Sequence, residues 1–146
     1  MQSKRILILT LLALCFSTDG LFANYAFKKK VKSVCQSYRI PVESSQLDLG
    51  EDEFLMTLES GRNNFEMFML VGFASAGQAI SHQKQMGKAN AYTPPVVRVE
   101  VRVPISKGEF NTFLVSCSAD MAISLADGGM DSSEFMQEIM KNMEIQ

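Results

Sequence analysis

The feature that most restricts this chain is the alternation Val97, Val99, Val101, Val103, interleaved with Arg98, Glu100 and Arg102 and bracketed by Pro95 and Pro104. β-Branched side chains at every second position put the valines on one face of a strand and the charged groups on the other. The prolines, which cannot donate to a ladder, mark its ends. A partner follows at once. Residues 105–109, with Gly108, make a short link to a second run in which Phe113, Val115 and Cys117 share a face, so the pair reads as an antiparallel hairpin. A lone hairpin is marginal in water, and its valine face needs a cover.

The cover is the segment 63–87. Phe65, Phe68, Met69, Gly72, Ala76, Ala79 and Ile80 keep helical spacing, and Met67, Leu70, Val71 and Phe73 make the first half apolar nearly all round, as in a buried central helix. Gly72 and Gly77 cost about 1 kcal/mol each in helix propensity, a cost that is offset where another backbone must come close. Residues 78–88 turn polar and are expected to leave the core.

Flanking helices complete the pattern. Phe27, Val31, Val34, Cys35 and Tyr38 form an apolar stripe that ends near Ile40 and Pro41, with Lys28, Lys29, Lys30 and Lys32 between them. Residues 42–50 have no period and read as loop. Residues 51–60 are expected to be helical and closed by Gly61, with Asp48 and Glu51 as a capping box, although Phe54, Met56 and Leu58 also alternate as a strand would. Ser118 can cap a helix carrying Ala119, Ala122, Ile123 and Ala126 and ending at Gly128 and Gly129. A last helix starts with Asp131 and Glu134 as a capping box and Met130 stapled onto Phe135. Met136, Ile139, Met140 and Met143 form its buried stripe. The expected fold is α+β: a small single domain with a long central helix packed on an antiparallel β-hairpin and with flanking helices. At 146 residues there is room for one core.

The N-terminus departs from this pattern. Lys4 and Arg5 precede an apolar run over residues 6–16, then the polar step Ser17, Thr18, Asp19, Gly20, then small residues at Ala23 and Ala26. That order is the grammar of a secretory signal peptide, and the run is short of the roughly 20 apolar residues that span a bilayer. Residues 1–23 are therefore expected to be a signal peptide cleaved after Ala23, and residues 24–146 the exported domain, periplasmic or extracellular. Cys15 lies inside the apolar run and follows Leu14, so it lacks the context of a lipid-attachment cysteine. Cleavage would move the net charge from −2 to −3. A mildly acidic body gives no reason to expect nucleic acid. Cys35 and Cys117 would both remain and would meet an oxidising solvent. They read either as a disulfide, whose loop would contribute roughly 4 to 5 kcal/mol, or as two buried thiols.

Chemical motifs are weak. His82, the only histidine, falls in the polar half of the long helix and reads as solvent-facing. Ser81 and Lys84 match a serine-to-lysine spacing that occurs by accident in such a composition, and its companion elements are absent. Residues 72–77 resemble a nucleophile elbow but have the wrong glycine spacing and sit within a helix. Met67, Met69, Met136, Met140 and Met143 could suggest copper(I), yet their helical spacing suits core filling. No pattern calls for a cofactor or a metal. The expected function is that of a non-enzymatic binding or interaction module for an unknown protein or envelope component. The alternatives are a membrane-anchored accessory subunit that keeps the N-terminal apolar segment, and a small hydrolase whose residues converge only in space. The lysines at 28, 29, 30 and 32 read either as the solvated face of their helix or as a basic contact patch for anionic lipid or an acidic partner, and in the anchored case they would lie on lipid.

Overall fold

The computed structural model describes the backbone of residues 2–146 and the side chains of residues 20–146. Lys4, Arg5 and Cys15, on which the signal-peptide reading leans, lie outside the described side chains. The elements in chain order are α1 (Gln2–Ser37), β1 (Leu47–Leu49), β2 (Glu53–Glu59), α2 (Phe65–Met86), β3 (Val96–Ser106), β4 (Glu109–Ser118), α3 (Ala119–Asp127), α4 (Ser132–Met140) and β5 (Glu144–Ile145). Among the described residues they build an α+β domain in which four helices accompany a mixed five-stranded sheet of order β1-β2-β3-β4-β5.

β3 and β4 pair antiparallel around Lys107 and Gly108, with Val99 opposite Val115 and Val97 opposite Cys117. Gly108 has a positive φ of 80°, which a tight turn between two strands needs and a glycine adopts without strain. Val97, Val99, Val101 and Val103 are buried, while Arg98, Glu100 and Arg102 are half-buried on the other face. There Arg98 lies 3.9 Å from Glu53, and Arg102 lies 3.4 Å from Glu59. Exposed pairs of this kind contribute little to stability.

The segment 51–60 corrects the helical expectation, because it contains strand β2. Phe54, Met56 and Leu58 are all buried, whereas a helical face would have gathered Phe54, Leu55 and Leu58 and left Met56 outside. The deciding partner is β3, which lies parallel beside β2 with Met56 opposite Val99 and Leu58 opposite Val101. Parallel strands cannot be joined by a tight turn, and α2 is the crossover between them. The segment 42–50 is also more ordered than expected. It holds a 3-10 turn (Ser44–Gln46) and then β1, antiparallel to β2 with Leu47 opposite Met56. Asp48 and Glu51, expected as a capping box, fall on β1 and in the β1–β2 turn.

α2 lies on the sheet above the β2–β3 pair. Gly72 rests on it so closely that a Cβ there would come 3.0 Å from Val99 Cγ1 and 3.3 Å from Leu58 Cδ1. At Gly77 the helix meets α3 backbone to backbone, and a Cβ would overlap the Ala122 carbonyl. The Ser118 hydroxyl accepts a hydrogen bond from the Met121 amide and so caps α3 as expected. The Asp131 side chain makes no such bond at the start of α4, where the Asp131 carbonyl takes the Phe135 amide instead. α4 ends at Met140. Phe135, Met136 and Ile139 are buried, but Met140 is exposed and Met143 lies beyond the helix, leading into β5. The final residues favour the sheet because β4 still has an open edge, where Phe113 and Leu114 pair with Ile145 and Glu144.

Candidate functional site

The lysine cluster divides. Lys28, Lys29 and Lys32, with Tyr25 and Ser44, border a hollow of about 370 Å³ beside the 3-10 turn. Lys28 Nζ donates to the Ser44 carbonyl at 3.5 Å and Lys32 Nζ to the Ser44 hydroxyl at 3.1 Å, which sets the two amines side by side. Lys30 is on another face of α1. It borders a shallow hollow of about 210 Å³ with His82, Gln78 and Asp127. His82 is exposed there. Lys84 pairs with Asp120 at 3.8 Å across to α3, so it is not held toward Ser81.

The two cysteines are not brought together. Cys35 and Cys117 are buried free thiols and lie beyond disulfide distance, which corrects the expected proximity. The physical reason is the position of α2, which packs against α1 on one flank and α3 on the other. Cys35 faces α2, where its thiol hydrogen-bonds with Ser75, and burial pushes its pKa up despite that bond. Cys117 lies under α3 near the Ala122 backbone, and burial pushes its pKa up to about 12. Both thiols stay protonated near neutrality, so neither is poised as a nucleophile.

A larger hollow, about 610 Å³, opens between α1 and the C-terminal end of α2. Phe22, Ala26 and Met86 give it apolar walls, Tyr25 separates it from the lysine hollow, and Lys88 stands on its margin. At its inner side is Gln83, only 2% exposed although the sequence reading sent residues 78–88 out of the core. Gln83 Nε2 donates to the Ala23 carbonyl of α1 at 3.1 Å, and its Oε1 accepts from the Tyr92 amide at 3.1 Å. The Tyr92 hydroxyl donates to the Gly50 carbonyl at 2.8 Å, and its ring meets Phe27 edge-on at 4.8 Å. Desolvation by burial, together with the nearby Asp48 and Glu53 carboxylates, raises the Tyr92 pKa. Two side chains thus fasten α1, α2, the 87–95 link and the β1–β2 turn to one another. A signal for Gln83 existed in its spacing, since Ala76, Ala79, Ile80 and Gln83 continue one stripe. Nothing local marked Tyr92.

Met69 and Met136 are buried, while Met67 and Met140 point to solvent. Among the described residues, no group of three or more histidine, cysteine or acidic side chains is arranged to hold a metal ion, and no helix is long and apolar enough to cross a membrane. No family model, curated protein or solved structure matches the chain, and the α+β class rests on its own strands and helices.

Proposed function

We propose that the chain is an exported, non-enzymatic binding module, periplasmic or extracellular, whose contact surface is the seam between α1 and the end of α2. The observation that carries this reading is the 610 Å³ hollow, an apolar-walled recess with a buried amide at its inner side. Of its lining, Tyr25, Ala26, Gln83 and Met86 lie beyond the expected cleavage point, while Phe22 and Ala23 precede it. Ligand sites generally combine apolar walls of this volume with a few fixed polar groups. The partner is a protein or other component of the cell envelope. The test is capture from envelope extract with wild type and with Ala26→Trp, whose indole would fill the recess. The expected result is a partner retained by wild type and lost by the variant. Equal retention would overturn the assignment of the seam.

One observation favours a second reading, in which the N-terminal segment is kept and the protein is a membrane-anchored accessory subunit. α1 continues through the expected cleavage point, and the Ala23 carbonyl is hydrogen-bonded by Gln83. Cleavage after Ala23 would remove that partner from a buried amide. N-terminal sequencing of the mature pool separates the two: Asn24 at the terminus supports the cleaved form, and Met1 or Gln2 supports the anchor.

A further inference from the structure

One stripe of α1 changes character along its length. Leu21, Tyr25, Lys28 and Lys32 follow i, i+4, i+7 and i+11, with Phe22 and Lys29 beside them, so all six fall within a wedge of about 120° on the helix. The wedge opposes the buried side, which carries Phe27, Val31 and Val34. Its upper end is apolar and uncovered, with Leu21, Phe22 and Tyr25 at 70%, 69% and 66% exposure. Its lower end is the hollow bordered by Lys28, Lys29 and Lys32. Tyr25, an apolar ring with a polar tip, lies at the junction.

We infer that this stripe docks on an anionic lipid bilayer, with Leu21, Phe22 and Tyr25 entering the acyl boundary and a headgroup phosphate seated among Lys28, Lys29 and Lys32. Two features select a bilayer as the occupant. The order of apolar, interfacial aromatic and basic groups matches the depth profile of a membrane surface. The apolar end points along the chain toward the still more apolar residues 6–16, so the same medium would receive both. Charge complementarity agrees, because three amines gather on a chain of net charge −2, which turns its basic side to an anionic surface. The inference rests on the second reading, in which the N-terminal segment is kept, because Leu21 and Phe22 precede the expected cleavage point; the stripe shares Phe22 and Tyr25 with the rim of the recess but not Ala26.

The test is flotation of the full chain with vesicles of phosphatidylcholine alone and with 30% phosphatidylglycerol, at low and high salt. Neutral vesicles measure the contribution of the apolar residues, and the gain on adding anionic lipid measures the lysines. The expected gain is roughly fivefold per lysine, about a hundredfold in all, and it should vanish in high salt. Lys28→Gln, Lys29→Gln and Lys32→Gln combined should abolish the gain, whereas Lys30→Gln, about 140° around the helix, should keep it. Circular dichroism of each variant checks folding. Equal affinity for the two vesicles, an equal loss with Lys30→Gln, or salt-sensitive binding to polyglutamate without any vesicle preference would each overturn the inference. Ala26→Trp should leave the gain on adding anionic lipid unchanged, so failure of the recess and failure of the lysine stripe are told apart.

Discussion

The two flanks of α2 are built on different principles. Toward α3 the helices meet at Gly77 with no side chain between them, and a capped nine-residue helix seals the contact. Toward α1 the contact is made by side chains, the Cys35 thiol with Ser75 lower down and Gln83 above, and it leaves a recess open. Backbone-close packing leaves no space to adapt, whereas a seam of side chains and hydrogen bonds can yield to a ligand or a membrane. The α3 flank is closed, and the α1 flank keeps a recess open.

The largest expected effect is on the rigid flank. Gly77→Ala puts a methyl group into the Ala122 carbonyl, so a backbone must move, and urea denaturation should show a loss of about 3 kcal/mol or more. The gain in helix propensity, about 1 kcal/mol, is too small to offset it. A neutral result would mean that the flanks do not differ. Below α2 lies the valine face of β3. There Val101→Ala should cost about 1 to 3 kcal/mol, against under about 0.5 for Glu100→Ala on the open face. Equal losses would break the assignment of the two faces.

The thiols sharpen the comparison, because each flank has one. A thiol whose folded pKa is raised favours the protonated form in the folded state. Its contribution is therefore complete below the ordinary value of 9.0 and is lost as pH rises from there toward about 12 for Cys117. Stability should be flat up to about pH 8 and then fall by up to about 1.4 kcal/mol per pH unit for each such group. Thermal melts across that range should show a shallower fall in Cys117→Ala, and also in Cys35→Ala, whose thiol shifts in the same direction. An unchanged slope in both variants would mean that the thiols are wetter than their burial implies.

On the adaptable flank the effects are smaller. Gln83→Leu should cost about 1 to 2 kcal/mol, since it strips a partner from the Ala23 carbonyl and another from the Tyr92 amide. Proteolysis should then begin in the 87–95 link. Protection equal to wild type there would show that Tyr92 alone holds the link through Gly50. Lys29→Gln, on the exposed stripe, should change the urea midpoint by less than about 0.5 kcal/mol equivalent while weakening anionic-vesicle binding. That separation of stability from binding is what a working surface requires.

Much of this was legible from local pattern. The valine alternation, the stripe of α2, the Ser118 cap and the apolar face of α1 each depend on neighbours within one element, and so the α+β class could be read from the residues. Two errors have a common cause. Residues 53–59 satisfy a helical and a strand period about equally, and only the parallel neighbour β3, reached across α2, supplies the hydrogen bonds that make them a strand. The cysteines each lie on an apolar face, but no rule of spacing says that a helix runs between those faces. The site was partly legible. Lysines 28, 29, 30 and 32 could be named as a basic cluster, whereas the separation of Lys30 from the others and the role of Gln83 could not. By itself the sequence determined which residues need burial and which need water, because transfer from water depends on the side chain. Only the tertiary structure decided which buried faces meet, because that depends on the order in which strands and helices pack, and residues distant in the chain choose it together.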